Sequence, residues 1–239
     1  MTLDPVLLTF DLDWAPDFAI DAVAELLVER RIRATWLITH ACAAVDRLRS
    51  HPDLFELGIH PNFRSGSTHG AAIDSVLQHC MEIVPEAVSM RTHSLAQSTP
   101  LLARVVATTP IRVDASLLLP RVAGLRPFEQ PYDGNVLLRV PFDWEDDVEM
   151  EFSEPRWDAR AVLRAPGMRT FNFHPMLVYL NARTMTPYRT VRSSVPKLDA
   201  LDETAARPHV NEGIGVGTTL AGLLDAVDPA RMQWLKELR

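Results

Sequence analysis

Apolar runs that stop at charged residues recur through the first half of the chain. Residues 6–13, VLLTFDLD, are apolar until two aspartates appear, which is the pattern of a strand buried on both faces. Residues 16–31 follow as a helix: Pro16 suits its first turn, and Ile20, Val23, Ala24, Leu27 and Val28 share one face. Residues 33–40 predict a second strand, AAVDRLRSH a short helix, and DLFELGIH a third strand ending at His60. The polar stretch 62–70 predicts a loop, 71–84 a helix, 87–95 a fourth strand, TPLLARVVATT a helix and 111–117 a fifth strand. The alternation then weakens. Strands are expected within 135–147 and 168–175, residues 181–215 read as irregular, and 219–227 read as a C-terminal helix.

Strands separated by helices imply βα units and a parallel sheet, so the fold class is α/β. Six or seven strands fit either an incomplete barrel or an open, doubly wound sheet. In both, function gathers at the carboxyl ends of the strands. No repeat or low-complexity linker divides the chain, so residues 1–239 are expected to form one domain, a common size for α/β folds.

Composition narrows the functional classes. The formal net charge of -7 argues against a nucleic-acid binder held by phosphate contacts. Cys42 and Cys80 form no Cys-x-x-Cys pair, which argues against a zinc ribbon or a redox motif. The first fourteen residues lack the basic region of a secretory leader, and no apolar run reaches the roughly 18 residues of a membrane span, so a cytoplasmic protein is expected.

The strand ends carry the candidate chemistry: Asp11 and Asp13, His60, Arg91 and His93, Asp114, then Asp143, Glu145 and Asp146, and finally His174. Taken singly, each has a structural reading as a cap, a loop hydrogen bond or a surface ion pair, and Trp144 reads as packing. Together, at the ends of neighbouring strands, they suggest a metal centre. One Asp with two His suits Zn²⁺ or a similar ion and leaves positions open for water and substrate. Alternate residues of an extended strand point the same way, so Asp11 and Asp13 can face one pocket, one as ligand and one handling protons. Arg91 can steady the second carboxylate.

The order TFDLD, ELGIHP, RTHS, VDAS, FHP resembles the polysaccharide deacetylases of the NodB-homology type, carbohydrate esterase family 4, over roughly residues 6 to 176. HPNF together with RTHSL is similar to their WbmS-like O-antigen branch. The resemblance implies a distorted, incomplete (β/α) barrel of about seven strands and a single divalent ion. Zinc is expected first; cobalt, nickel, iron or manganese also fit. It implies Asp11 as catalytic base, Asp13 and His60 as ligands, and Arg91 as the residue orienting the base. It also implies Asp114 as the acid after the fifth strand and His174 as the general acid, with Asp114 or Asp146 orienting it. The family's second ligand His falls at Arg64, and an arginine stays protonated and cannot ligate. His93 is expected in its place, with His69 as the second candidate. Asn62, Arg64, Trp144 and Asp146 are expected to contact substrate, and Arg64, Arg91 and Arg139 are candidates for meeting an acidic sugar.

The implied reaction removes an N-acetyl or other N-acyl group from a sugar of a bacterial surface polysaccharide or its precursor, such as O-antigen. Water activated at the metal attacks the amide carbonyl, Asp11 takes a proton, and His174 protonates the leaving amine. The alternatives are another metal amidohydrolase acting on a small amide, or a non-catalytic carbohydrate-binding domain on the same scaffold. Oligomeric state is left open by the sequence.

Overall fold

The computed structural model describes residues 4–239. Met1–Leu3, the start of the segment expected to lack a leader, lie outside the described residues. Ten strands form one sheet: β1 (Val6–Asp11), β2 (Ala34–Ile38), β3 (Phe55–Ile59), β4 (Ser89–Met90), β5 (Val113–Leu118), β6 (Phe128–Tyr132), β7 (Asn135–Phe142), β8 (Trp144–Glu145), β9 (Arg169–Phe173) and β10 (Met232–Gln233). Their order is β6-β7-β5-β4-β3-β2-β1-β9-β8, with β10 also beside β1. Every pairing is parallel except the β6–β7 hairpin.

The order closes on itself through one stretch of chain. β7 pairs with β5, and one residue later the same stretch, as β8, pairs with β9. Strands β1–β5, the β7–β8 stretch and β9 therefore make a seven-membered (β/α) barrel, distorted where β4 is two residues long and where Asp143 interrupts the ladder. The helices Asp17–Arg30, Ala43–Arg49, Ile73–Ile83 and Thr99–Thr108 return the chain between the first five strands, as the alternation predicts.

Side-chain alternation along β1 explains the core. Val6, Leu8 and Phe10 point outward into the large apolar layer under the helices, where Phe10 stacks on Trp36 at 4.5 Å. Leu7 points into the barrel and packs with Val113, Ala115, Val140, Met168 and Leu235. The last of these comes from a C-terminal 3₁₀ turn, Leu235–Leu238. Above this small plug the interior is polar, with Thr9, Asp11, Thr35, Glu56, Ser89, Arg91 and Asn172 all buried.

Two segments depart from the pattern reading. The strand expected over 87–95 is hydrogen-bonded as a strand only at Ser89–Met90 and then turns through His93–Leu95, with Ser94 and Leu95 both at φ 54°. Its backbone is released to other partners: Thr92 N–H donates to Ser116 Oγ and His93 N–H to Pro61 O. Within the stretch read as irregular, Met185–Ser193 is a helix, and short helical turns follow. The hairpin β6–β7 is an addition. Its two-residue turn, Asp133-Gly134, has φ of 38° and 81°, and Asp-Gly is the pair that favours such a turn.

Candidate active site

Strand β1 ends at Asp11, so the two aspartates do not sit on one regular strand, although Leu12 still joins Val6, Leu8 and Phe10 in the helix-side core. The chain instead turns at Asp13 (φ 45°) and Trp14 (φ 56°), which swings the Asp13 carboxylate back over the end of the barrel. There it meets the ends of β3 and β4. Asp13 Oδ1 lies 3.1 Å from His60 Nε2 and 2.9 Å from His93 Nδ1, and the two ring nitrogens are 3.4 Å apart. One carboxylate oxygen and two imidazole nitrogens thus converge on a single point. Four-coordinate zinc with bonds of about 2.0–2.1 Å places its ligand atoms about 3.3 Å apart, so the donor set fits a small divalent ion. With His60 Nε2 directed at that point, the proton of a neutral ring falls on Nδ1. This buried atom has Asp11 Oδ1 at 3.7 Å as its nearest carboxylate.

Asp11 lies beside this centre and is almost wholly buried. Arg91 Nη1 donates to its Oδ1 at 2.9 Å, and Asn172 Nδ2 donates to its Oδ2 at 3.0 Å. Arg91 is fixed in turn by Ala115 O, Thr9 Oγ1, Asn172 Oδ1 and the Phe142 ring. Burial alone would raise the Asp11 pKa. The Arg91 guanidinium, with His60 and His174, outweighs it and holds the carboxyl below its ordinary value. Burial likewise opposes ionisation of Asp13, but hydrogen bonds to His60 and His93 pull it well below that range.

His174 closes the other side. Its Nδ1 pairs with Asp146 Oδ1 at 2.6 Å, its backbone N–H donates to Asp146 Oδ2 at 2.8 Å, and its Nε2 faces Asp13 Oδ2 at 3.7 Å. Burial would lower this imidazole's pKa, but the Asp146 charge and hydrogen bond, with Asp147 and Asp13, raise it well above 6.5. Glu145 accepts from Asn172 Nδ2 at 2.8 Å. Burial first, then the Asp147 and Asp11 charges, push its carboxyl up to about 8 against the opposing charges of His174 and Arg91.

Several expected roles change. Asp114 does not reach His174. It accepts from Ser116 Oγ at 2.5 Å and pairs with Arg139 Nε at 2.7 Å, both deep in the barrel. Since Ser116 Oγ also accepts from Thr92 N–H, Asp114 supports the turn that presents His93. That pair also keeps Arg139 away from any sugar. His69 stands outside the triad: its Nδ1 accepts from Asn62 N–H at 3.2 Å, and burial above all lowers its pKa to about 4. Trp144 is 1% exposed and packs on Phe171 and Phe173, so it offers no face to a substrate. Asp146 is equally buried and acts on His174. Asn62 Oδ1 is taken by Arg64 N–H, and the exposed Arg64 donates to Ser94 Oγ at 3.2 Å. Asn172 and Glu145 gain importance. Asn172 had a sequence signal, a lone amide between two phenylalanines of a buried strand.

A cavity of about 730 Å³ opens over the triad. Asp13, Trp14, His93 and His69 form one side, and Tyr188, Arg192 and Lys197, from the stretch read as irregular, form another.

The family model for WbmS-like polysaccharide deacetylases matches residues 8–192. The chain belongs to that family. Among solved structures, it is similar to a candidate polysaccharide deacetylase involved in O-antigen biosynthesis, WbmS of Bordetella bronchiseptica. The two are 30% identical over 92% of this chain and 89% of that one, with a TM-score of 0.77. Two more distant structures are a family 4 acetyl xylan esterase from Clostridium thermocellum with a cobalt ion and the peptidoglycan deacetylase PdaC from Bacillus subtilis. The esterase is 16% identical over 98% of this chain and 89% of that one, with a TM-score of 0.48. PdaC is 14% identical over 99% and 92%, with a TM-score of 0.46. No curated protein matches the chain significantly. Among the described residues, no helix is long and apolar enough to cross a membrane.

Proposed function

We propose that this WbmS-like deacetylase is a metal-dependent hydrolase that removes an N-acetyl or other N-acyl group from a sugar of a bacterial surface polysaccharide or its precursor. The observation that carries this reading is the convergence of Asp13 Oδ1, His60 Nε2 and His93 Nδ1 within 3.4 Å, with Asp11, held by Arg91 and Asn172, on one side and His174, held by Asp146, on the other. Asp13, His60 and His93 would hold the ion, zinc foremost. When bound, it supplies Lewis acidity toward the acyl carbonyl and toward water.

The remaining work falls to the protein. Each Asp11 oxygen accepts one hydrogen bond from the interior and keeps lone-pair capacity to take a proton from attacking water. Arg91 and Asn172 hold that carboxylate in one orientation, so it does not reorganise as the charge changes. His174 gives its Nε2 proton to the leaving nitrogen, and Asp146 fixes the ring and stabilises its charged form. The products are the carboxylic acid and a free amino sugar.

The test is acetate release from N-acetylated sugars by zinc-loaded protein, beside Asp11→Asn and His174→Ala. Falls of roughly 10²–10⁴-fold in each are expected for loss of a general base or acid. Equal release by all three proteins would refute the assignment of these residues.

A further inference from the structure

Trp14 is placed in a way that packing does not require. It follows Asp13 directly, and both have left-handed backbone angles, φ 45° and 56°. Aspartate tolerates that conformation, whereas in a bulky aromatic it is an outlier, of the kind concentrated at functional sites. The indole does not enter the apolar core. It lines the cavity over the triad, half-buried. Two imidazoles flank the ring, His93 edge-on at 5.3 Å and His69 tilted at 5.3 Å, while the Trp14 backbone N–H, donating to Thr39 Oγ1 at 3.1 Å, anchors the turn that carries it.

Tyr188 lines the same cavity from the helix Met185–Ser193. Its ring packs against the core, and among the described residues its hydroxyl has no hydrogen-bond partner. Burial and the Asp13 charge both raise its pKa, with His174 opposing, so the phenol remains an O–H donor at neutral pH. A wall with one aromatic face and one phenol complements a pyranose, which presents C–H groups on its faces and hydroxyls at its rim.

We propose that Trp14 and Tyr188 are the residues that recognise the sugar ring, Trp14 stacking on its apolar face and Tyr188 donating to a ring oxygen. The inference rests on the deacetylase reading and adds the part of the site that distinguishes a sugar amide from a simple one. Neither residue belongs to the Asp, His and Arg set that handles the acyl group. Loss of either is therefore expected to act on sugar binding and leave acetate binding alone.

Calorimetric titration of the zinc-loaded protein tests this, with acetate and N-acetylglucosamine or N-acetylgalactosamine as probes. Trp14→Gly removes the indole and suits the left-handed backbone, so it introduces no backbone strain. Trp14→Phe retains a smaller face, and Tyr188→Phe removes only the hydroxyl. The expected result is sugar binding weakened tenfold or more in Trp14→Gly, less in the two phenylalanine variants, with acetate affinity and zinc content unchanged. Equal sugar affinity in parent and variants overturns the recognition pair while leaving the deacetylase reading intact. Acetate binding with no sugar binding in the parent overturns both and favours a small amide as substrate.

Discussion

Leu12 separates the two aspartates and continues the alternation of β1, joining Val6, Leu8 and Phe10 in the helix-side core. The chain leaves the ladder after Asp11, and Asp13 reaches the centre through a left-handed turn. Such a turn costs of order 1–3 kcal/mol per residue and persists only where surrounding contacts hold it. Burial is the largest single influence on His174 and lowers its pKa, but the acidic groups around it together outweigh that effect. The Asp146 ion pair raises its pKa above 6.5, so its acid form persists to higher pH than that of a free imidazole. Asp146→Asn removes the charge and should lower that pKa. The alkaline limb of the pH–rate profile should then move toward lower pH, with a loss of about tenfold or more at neutral pH. An unmoved limb would remove Asp146 from this role. Trp144, expected from sequence to meet substrate, sits in the core instead. Trp144→Ala should cost about 3–5 kcal/mol in urea unfolding, through the cavity it leaves. These environments were not legible in the sequence. DLD and FHP revealed which residue types leave the strands, but burial and partners depend on residues from other strands, from Asp146 beside His174, 28 residues away, to Asn172 beside Asp11, 161 residues away.

At the scale of elements, the first four βα units and the fifth strand were readable because their strands are apolar runs cut off at polar or charged residues. Strand β7 was read within 135–147, but its hairpin partner β6 was not, although Asp133-Gly134 marks the turn, because β6 is largely exposed and lacks an apolar run. The shortening of β4 was not readable, since Thr92 and His93 take partners from β5 and from the loop after β3. Gly58 shows how closely β3 and β4 approach. A Cβ there would lie 2.6 Å from Ser89 Oγ, 2.7 Å from Ser89 O and 2.9 Å from Leu37 Cδ2. Gly58→Ala must separate these strands and displace His60, two residues on. The expectation is a loss of about 1–3 kcal/mol of stability, as for other overpacked interiors, together with weaker zinc affinity. Urea unfolding and zinc titration of the same preparation check both. A stability loss with unchanged zinc affinity would separate the strand spacing from the site.

At the scale of the molecule, the closure of the barrel gathers the site. Residues from β1, β4 and β9 meet through Arg91, which hydrogen-bonds Asp11 and Asn172 across the interior. The large helix-side core holds the fold without help from an ion, so the protein is expected to remain folded without metal. Zinc at about a thousand times its dissociation constant should add about 4 kcal/mol to stability through preferential binding to the native state. Chelation should reverse that gain, and Asp13→Ala should not show it. Thermal unfolding with and without zinc reads this out.

The central claim is that Asp13, His60 and His93 form one metal centre, with His93 standing where the family's usual second histidine is Arg64. Metal stoichiometry by elemental analysis tests it directly, on zinc-reconstituted protein with Asp13→Ala and His93→Ala alongside. The account predicts about one ion per chain in the parent, lost in both variants. No ion in the parent would contradict the centre as a whole, and an ion retained in His93→Ala would contradict the third ligand.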